Sequence, residues 1–349
     1  MFCFNSQQIK TLFSSFLCMI KITFLGTAAQ TPTMKRNHTS ILLNYNGENI
    51  LVDCGEGTQR QFRKARLNPC KVTRLLITHW HGDHVFGIPG LLSTLALSGY
   101  NKTLFIYGPK GTKDFMNALL KIFKFTRKYE IKVKEVGDTQ GCIPLRAREP
   151  ATQAPNQVGL KENIQKNIFT RGKFLETDDF YLEAKSMEHG IPTNAYVFVK
   201  KGQIRIDKKK LKKSKLPYGP LLKKLKEGKD ISYKGKKYLA KNLTYKVGDK
   251  KVAIVLDTKL NKNIVSLVED SDLLICESSF GSDLQDKAKE HLHLTARQAA
   301  EIAKESKSKK LVLTHISQRY DKDPKKILND AKKVFKKTSL VDDLDIVEV

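Results

Sequence analysis

Three histidines and an aspartate fall within the six residues His79-Trp80-His81-Gly82-Asp83-His84, directly after the apolar run Leu75-Leu76-Ile77. A short apolar run bounded by polar residues reads as a buried strand, expected here over Val72 to Thr78. The C-terminal end of such a strand is where α/β sheets build their sites. No single face of a strand or helix presents all four side chains. The run is therefore a loop that converges them, and the rest of the chain must supply the sheet that carries it.

The flanking sequence has that character. Strands are expected over Ile20 to Leu25, Ser40 to Asn44 and Asn49 to Asp53, the last entered through an Asn46-Gly47 turn. Helices are expected over Thr58 to Ala65, Val85 to Leu97 and Thr112 to Phe125, with a strand at Thr103 to Tyr107. Further strands follow at Phe180 to Ser186, Ala195 to Lys200, Lys251 to Leu256, Leu273 to Cys276 and Lys310 to Thr314. Helices close the chain at Leu294 to Glu305 and Pro324 to Val334, the latter opened by proline in its first turn. This alternation predicts an α/β layered domain over residues 19–349. Residues 141–173 carry Pro144, Pro150 and Pro155 without any period. A structureless run of about thirty residues is uncommon inside a compact domain, so this reads as an exposed insertion. Residues 1–18 read as a disordered N-terminal extension or the product of a misplaced start. Leu12-Phe-Ser-Ser-Phe-Leu17 after Lys10 faintly resembles a signal peptide, but the charged region is thin and no small-residue cleavage site follows.

Neutral imidazole and carboxylate are the donors that Zn²⁺ favours, and a catalytic zinc keeps one position open. His79 and His81 alternate and suit one ion. Asp83 and His84, turned the other way, suit a second at about 3.5–4 Å, the spacing of two-metal hydrolases. Completing both sites needs further ligands. His189, Asp257 and His315 each lie just past an expected strand. Taken singly, each is equally a satisfied histidine or a helix-capping aspartate; taken together they complete two sites, with Asp257 as the bridge.

Charge narrows the partner. The chain has 63 Lys+Arg and 36 Asp+Glu, a formal net charge of +27. A field of that sign draws polyanions, so nucleic acid leads and a membrane surface competes, although no stretch approaches the ~20 apolar residues of a spanning helix. The charge is local: residues 200–250 hold 19 Lys+Arg against four Asp+Glu. Leu216-Pro-Tyr-Gly-Pro220 makes a rigid turn between two lysine-rich stretches there. A lysine run is ordinarily a solvated helix face, but this concentration between two regular α/β regions predicts a protruding arm. The six cysteines form neither CxxC pairs nor a dense framework, which points to a reducing, cytoplasmic compartment.

These segments together resemble the metallo-β-lactamase superfamily and, within it, short-form ribonuclease Z, the tRNA 3′-processing endoribonucleases. Asp53-Cys-Gly-Glu-Gly-Thr-Gln59 is similar to the family's D-C-G-E-[AG]-T-Q. Gly87-Ile-Pro-Gly90 is similar to its glycine-proline turn, and Thr314-His-Ile-Ser-Gln-Arg-Tyr320 to its T-H-I-S-x-R-Y. The lysine-rich segment around Tyr218-Gly-Pro220 resembles its tRNA-gripping arm. The resemblance spans residues 19–349 apart from the insertion. It implies a four-layer αββα metallo-β-lactamase fold with a lysine-rich tRNA-binding arm at about 201–245.

The resemblance also implies roles for single residues. His79, His81 and His189 would hold one Zn²⁺, Asp83, His84 and His315 a second, with Asp257 bridging. Asp83 would accept a proton from the attacking water. Glu277 and His293 would relay a proton to the leaving 3′-oxygen. His38 and His291 receive no role. The implied reaction removes the 3′ trailer of precursor tRNA on the 3′ side of the discriminator and leaves a 3′-hydroxyl. The implied assembly is a homodimer in which the arm of one subunit serves the other's site.

Two departures stand out. Cys276-Glu-Ser-Ser279 replaces the usual H-E-A-T, and Met34 holds the lysine position of the P-x-K-x-R-N loop, Pro32 to Asn37, with Lys35 displaced by one. Whether CCA-bearing tRNA is spared is left open by that loop. A small-substrate hydrolase of the same superfamily is the competing expectation, and it has no use for the arm. A nucleic-acid-binding protein with structural metals is a third, disfavoured by seven ligands spread over two open sites.

Overall fold

The computed structural model describes residues 19–123, 129–137 and 172–349. The expected extension at 1–18 lies outside the described residues. So does the insertion at 141–173 except for its last two positions, where Lys173 already opens a strand.

Two seven-stranded sheets form the body. The first runs Ile346–Glu348, Lys21–Gly26, Ser40–Tyr45, Glu48–Val52, Arg74–Leu76, Leu104–Gly108, Ile131–Glu135. Its first three pairings are antiparallel and the rest parallel. The second runs Thr338–Leu340, Leu311–Thr314, Leu273–Glu277, Lys250–Val255, Thr193–Lys200, Phe180–Met187, Lys173–Glu176. Here the first three pairings are parallel and the others antiparallel.

The central strands are largely apolar because both faces are covered, whereas the edge strands Ile131–Glu135 and Lys173–Glu176 carry charged residues. Side chains alternate between faces with period two. Ile22, Phe24, Ile50, Val52, Tyr196, Phe198, Ile254 and Ile275 meet in one core between the sheets. Their neighbours point outward to helices. Leu25, Leu51 and Leu75 pack with Phe62, Leu91 and Met116 of the helices Thr58–Lys64, Ile88–Leu97 and Thr112–Ile122. Val197, Ala253, Leu274 and Leu313 pack with Ile264, Ala299 and Ile327 of the helices Lys262–Val268, Ala296–Glu305 and Lys325–Lys332. Three cores between four layers make the αββα sandwich.

Two expected boundaries move for tertiary reasons. The strand expected over Val72 to Thr78 is held to Arg74–Leu76, because the Thr78 N–H leaves the sheet and donates to Asp53 Oδ1 at 2.7 Å. The helix expected over Val85 to Leu97 is two pieces, Gly82–Val85 and Ile88–Leu97. Between them the Gly87 N–H donates to the Cys54 carbonyl at 2.9 Å. A Cβ at Gly87 would sit 2.1 Å from the Gly55 carbonyl oxygen, so only glycine permits that approach.

Residues 203–247 are inserted between the paired strands Thr193–Lys200 and Lys250–Val255, whose register brings Lys200 opposite Lys250. The insertion starts and ends in its own hairpin, Gln203–Ile206 against Thr244–Val247. It carries a separate small core of Leu211, Leu216, Leu222, Leu225, Ile231, Ala240 and Leu243.

Candidate metal centre

The site lies at one edge of the sandwich, where the parallel strands of both sheets end. His79 to His84 follow Arg74–Leu76, Asp257 follows Lys250–Val255, Glu277 ends Leu273–Glu277, and His315 follows Leu311–Thr314. The hairpin from Phe180–Met187 to Thr193–Lys200 turns at the same edge and brings His189. His293 precedes the helix Ala296–Glu305, whose start is fixed by a capping box between Thr295 and Gln298. His315 keeps φ 57°, a left-handed backbone that a non-glycine residue holds only under constraint from its surroundings.

All seven expected ligands converge. Donor atoms of His79, His81, His189 and Asp257 lie within 4.8 Å of one another, as do those of Asp83, His84 and His315. Asp257 reaches both sets with different oxygens. Its Oδ2 lies 3.6 Å from His79 Nε2 and 4.0 Å from His189 Nε2. Its Oδ1 lies 3.4 Å from His84 Nε2 and 3.2 Å from His315 Nε2. A further overlapping set joins Asp257, His315 and His293.

The donor set fits divalent cations. Ring nitrogens face ring nitrogens: His79 Nε2 is 3.0 Å from His81 Nδ1, and His84 Nε2 is 3.3 Å from His315 Nε2. Asp257 Oδ1 is buried without a hydrogen-bond partner, and an orphaned buried carboxylate oxygen is costly unless a cation faces it. Burial, then the nearby His84 charge, holds His79 well below the usual histidine range. Burial likewise lowers His81 and His189, so all three favour the neutral form that ligates. Burial opposes charge on Asp257 and Asp83 as well, yet the surrounding imidazoles outweigh it and hold both carboxyls low and ionised.

The partners behind the ligands were not anticipated from the sequence. Asp53 accepts from Thr78 N–H and Oγ1, each at 2.7 Å, and its Oδ2 lies 2.7 Å from His84 Nδ1. Such a partner fixes the ring and its tautomer, aiming Nε2 into the cluster. The Leu292 carbonyl does the same for His189 Nδ1 at 3.1 Å. Ser279 Oγ donates to Glu277 Oε2 at 2.6 Å and lies 2.9 Å from His315 Nδ1. The available signal was that Asp53 and Ser279 sit inside motifs already singled out. Glu277 Oε2 also meets His293 Nδ1 at 2.9 Å. Burial disfavours charge on His293, but Glu277 and Asp257 prevail and raise its pKa to about 9.

A family model described as anti-Pycsar protein Apyc1 matches residues 20–151. Ribonuclease Z of Methanothermobacter thermautotrophicus is 36% identical over 335 residues, which take in 95% of this chain and 97% of that protein. The chain belongs to the ribonuclease Z family. Human tRNase Z, short form, superposes with a TM-score of 0.63 at 27% identity, covering 94% of this chain and 98% of its own. The metallo-β-lactamase fold protein YhfI of Bacillus subtilis superposes with a TM-score of 0.61 at 17% identity, covering 95% and 100%, a likeness of fold alone. The αββα sandwich is therefore the metallo-β-lactamase fold in its ribonuclease Z form. Family and donor set together imply divalent-metal binding at this edge.

Proposed function

We propose that this protein is a zinc-dependent endoribonuclease that removes the 3′ trailer of precursor tRNA, hydrolysing the phosphodiester 3′ of the discriminator and leaving a 3′-hydroxyl on the tRNA. The observation that carries the reading is the convergence of seven donor residues from distant segments in a chain that ribonuclease Z matches over 95% of its length. His79, His81 and His189 would hold one zinc, Asp83, His84 and His315 the other, with Asp257 shared. The division of the two Asp257 oxygens between the clusters supports this arrangement. When bound, such a pair lowers the pKa of a water and offsets charge that builds on phosphoryl oxygens.

The chain's own groups do the remaining work. Asp83, held ionised, would accept the proton of the attacking water. His293 has Nδ1 engaged by Glu277, which leaves Nε2 to protonate the 3′-oxygen as it departs. Residues 203–247, with their lysines and separate core, would grip tRNA phosphates without reading bases. We also place in this reading a homodimer, the arm of one subunit serving its partner's site, and a cytoplasmic location. Cys54, Cys70 and Cys276 are all free, which suits a reducing compartment. Among the described residues no helix is long and apolar enough to cross a membrane.

The test is incubation of the zinc-loaded protein with a 3′-extended tRNA transcript. Release of the intact trailer with a new 3′-hydroxyl at the discriminator supports the reading; an uncut transcript alongside hydrolysis of bis(p-nitrophenyl) phosphate supports a small-substrate hydrolase instead. Asp257→Ala should lose zinc and activity together, and full metal content by elemental analysis would remove Asp257 from the bridge.

A further inference from the structure

One buried imidazole beside the centre has no part in the chemistry above. His38 is 6% exposed and leads into the strand Ser40–Tyr45. Its Nε2 lies 3.0 Å from the Gln30 carbonyl oxygen. A carbonyl only accepts, so Nε2 carries the proton and donates. The N–H of the same Gln30 donates to Asp83 Oδ2 at 2.9 Å. That oxygen faces the second cluster, 3.4 Å from His84 Nε2 and 3.6 Å from His315 Nε2.

Gln30 itself has φ 55°. A non-glycine residue keeps that left-handed conformation only where its surroundings over-determine it. Here its C=O is held by His38 and its N–H by Asp83. The two anchors are also packed close together: a Cβ at Gly55 would lie 2.4 Å from His38 Cβ and 2.4 Å from the Asp83 carbonyl oxygen. The rest of the loop is fastened independently. Arg36 donates to Thr27 Oγ1 at 2.7 Å and to the Val341 carbonyl at 2.8 Å, and the Asn37 N–H donates to Asp343 Oδ2 at 2.7 Å. Removing the His38 donor therefore frees one peptide and leaves the loop tied.

We infer that His38 is a positioning residue for Asp83, acting through the Gln30 peptide to fix the carboxylate oxygen that faces the second metal. This rests on the reading of Asp83 as a ligand. The test compares wild type with His38→Leu, which fills the space without a donor, and His38→Gln, whose amide N–H reaches toward the same carbonyl. Zinc affinity is measured by titration against a chromophoric chelator, and kcat on a 3′-extended tRNA transcript.

His38→Leu should weaken one of the two zinc ions by about 10–100-fold, leave the other unchanged and lower kcat, as loss of an outer hydrogen bond to a ligand does. His38→Gln should recover most of both. Wild-type affinity for both ions in His38→Leu overturns the inference, and so does equal impairment of the two variants, which would make His38 a space filler. Should the leucine variant fail to melt cooperatively, His38→Asn, too short to reach Gln30, carries the same expectation. A wild-type protein that leaves tRNA uncut counts against the endoribonuclease reading alone, because the chelator titration decides the His38 assignment without RNA.

Discussion

The pairing of His293 with Glu277 is the clearest case of one residue setting the state of another. With its pKa raised to about 9, His293 stays protonated through neutrality and is a competent acid there. Because the donor is the protonated form, kcat should fall as pH rises through about 9. His293→Ala should keep both zinc ions by elemental analysis, lose about 10²–10⁴ in kcat and lack that alkaline limb; an unchanged rate, or the same limb in the variant, would end the proton-donor role. Residue identity made some of this legible beforehand. Three histidines and Asp83 fall within six residues, so their density pointed to a metal site. Asp53 and Ser279 were not assigned because their partners, His84 and His315, lie 31 and 36 positions away. Spacing along a chain carries no trace of a hydrogen bond across it.

At the scale of elements, three neighbouring strands of the second sheet that end at the site are held at their opposite ends by a single carboxylate. Asp272 accepts from the Lys251 N–H at 2.9 Å, Lys250 Nζ at 3.0 Å and Lys309 Nζ at 2.8 Å. It thereby ties the starts of Lys250–Val255, Leu273–Glu277 and Leu311–Thr314. Burial disfavours its charge, yet Lys309, the Lys251 N–H and Lys250 lower its pKa below the usual carboxylate value. The unfolded state then binds the proton more readily, so this contribution is complete above the ordinary aspartate range and is lost as pH falls through the depressed value. Lys309 is mostly exposed and Lys250 partly so, and water screens both ion pairs, which leaves the backbone hydrogen bond a substantial share of the effect. Asp272→Asn should lower stability by about 1–2 kcal/mol at neutral pH. Urea unfolding across pH should show the difference shrinking in acid; a difference constant with pH would refute the assignment.

At the scale of the molecule, the register that sets Lys200 opposite Lys250 lets residues 203–247 leave the sheet and return at one place without disturbing it. Replacing residues 207–243 by Asn-Gly would close the hairpin at Ile206 and Thr244, which are already opposite each other. The shortened protein should retain hydrolysis of bis(p-nitrophenyl) phosphate and lose tRNA cleavage. Its residual RNA binding should show a flatter dependence on salt, since fewer phosphates are neutralised. Equal tRNA cleavage by both proteins would refute the arm's role. Sedimentation equilibrium should show a dimer, and a monomer at assay concentrations that still cuts tRNA would discard the subunit-exchange arrangement.

That the domain is layered α/β was legible in the sequence because period two and helical period are local properties, whereas the four-layer αββα order came from the family resemblance. The ligand types and the lysine concentration were legible for the same reason: each is a statement about composition in a short window. Only the tertiary structure decided which oxygen of Asp257 faces which cluster, that Asp53 aims His84, and that His38 reaches Asp83 through Gln30. The Asp257 contacts join the two stacked sheets and the other two join loops at one end of the first sheet, and the orientation of a donor there is a property of packing rather than of neighbours in the chain.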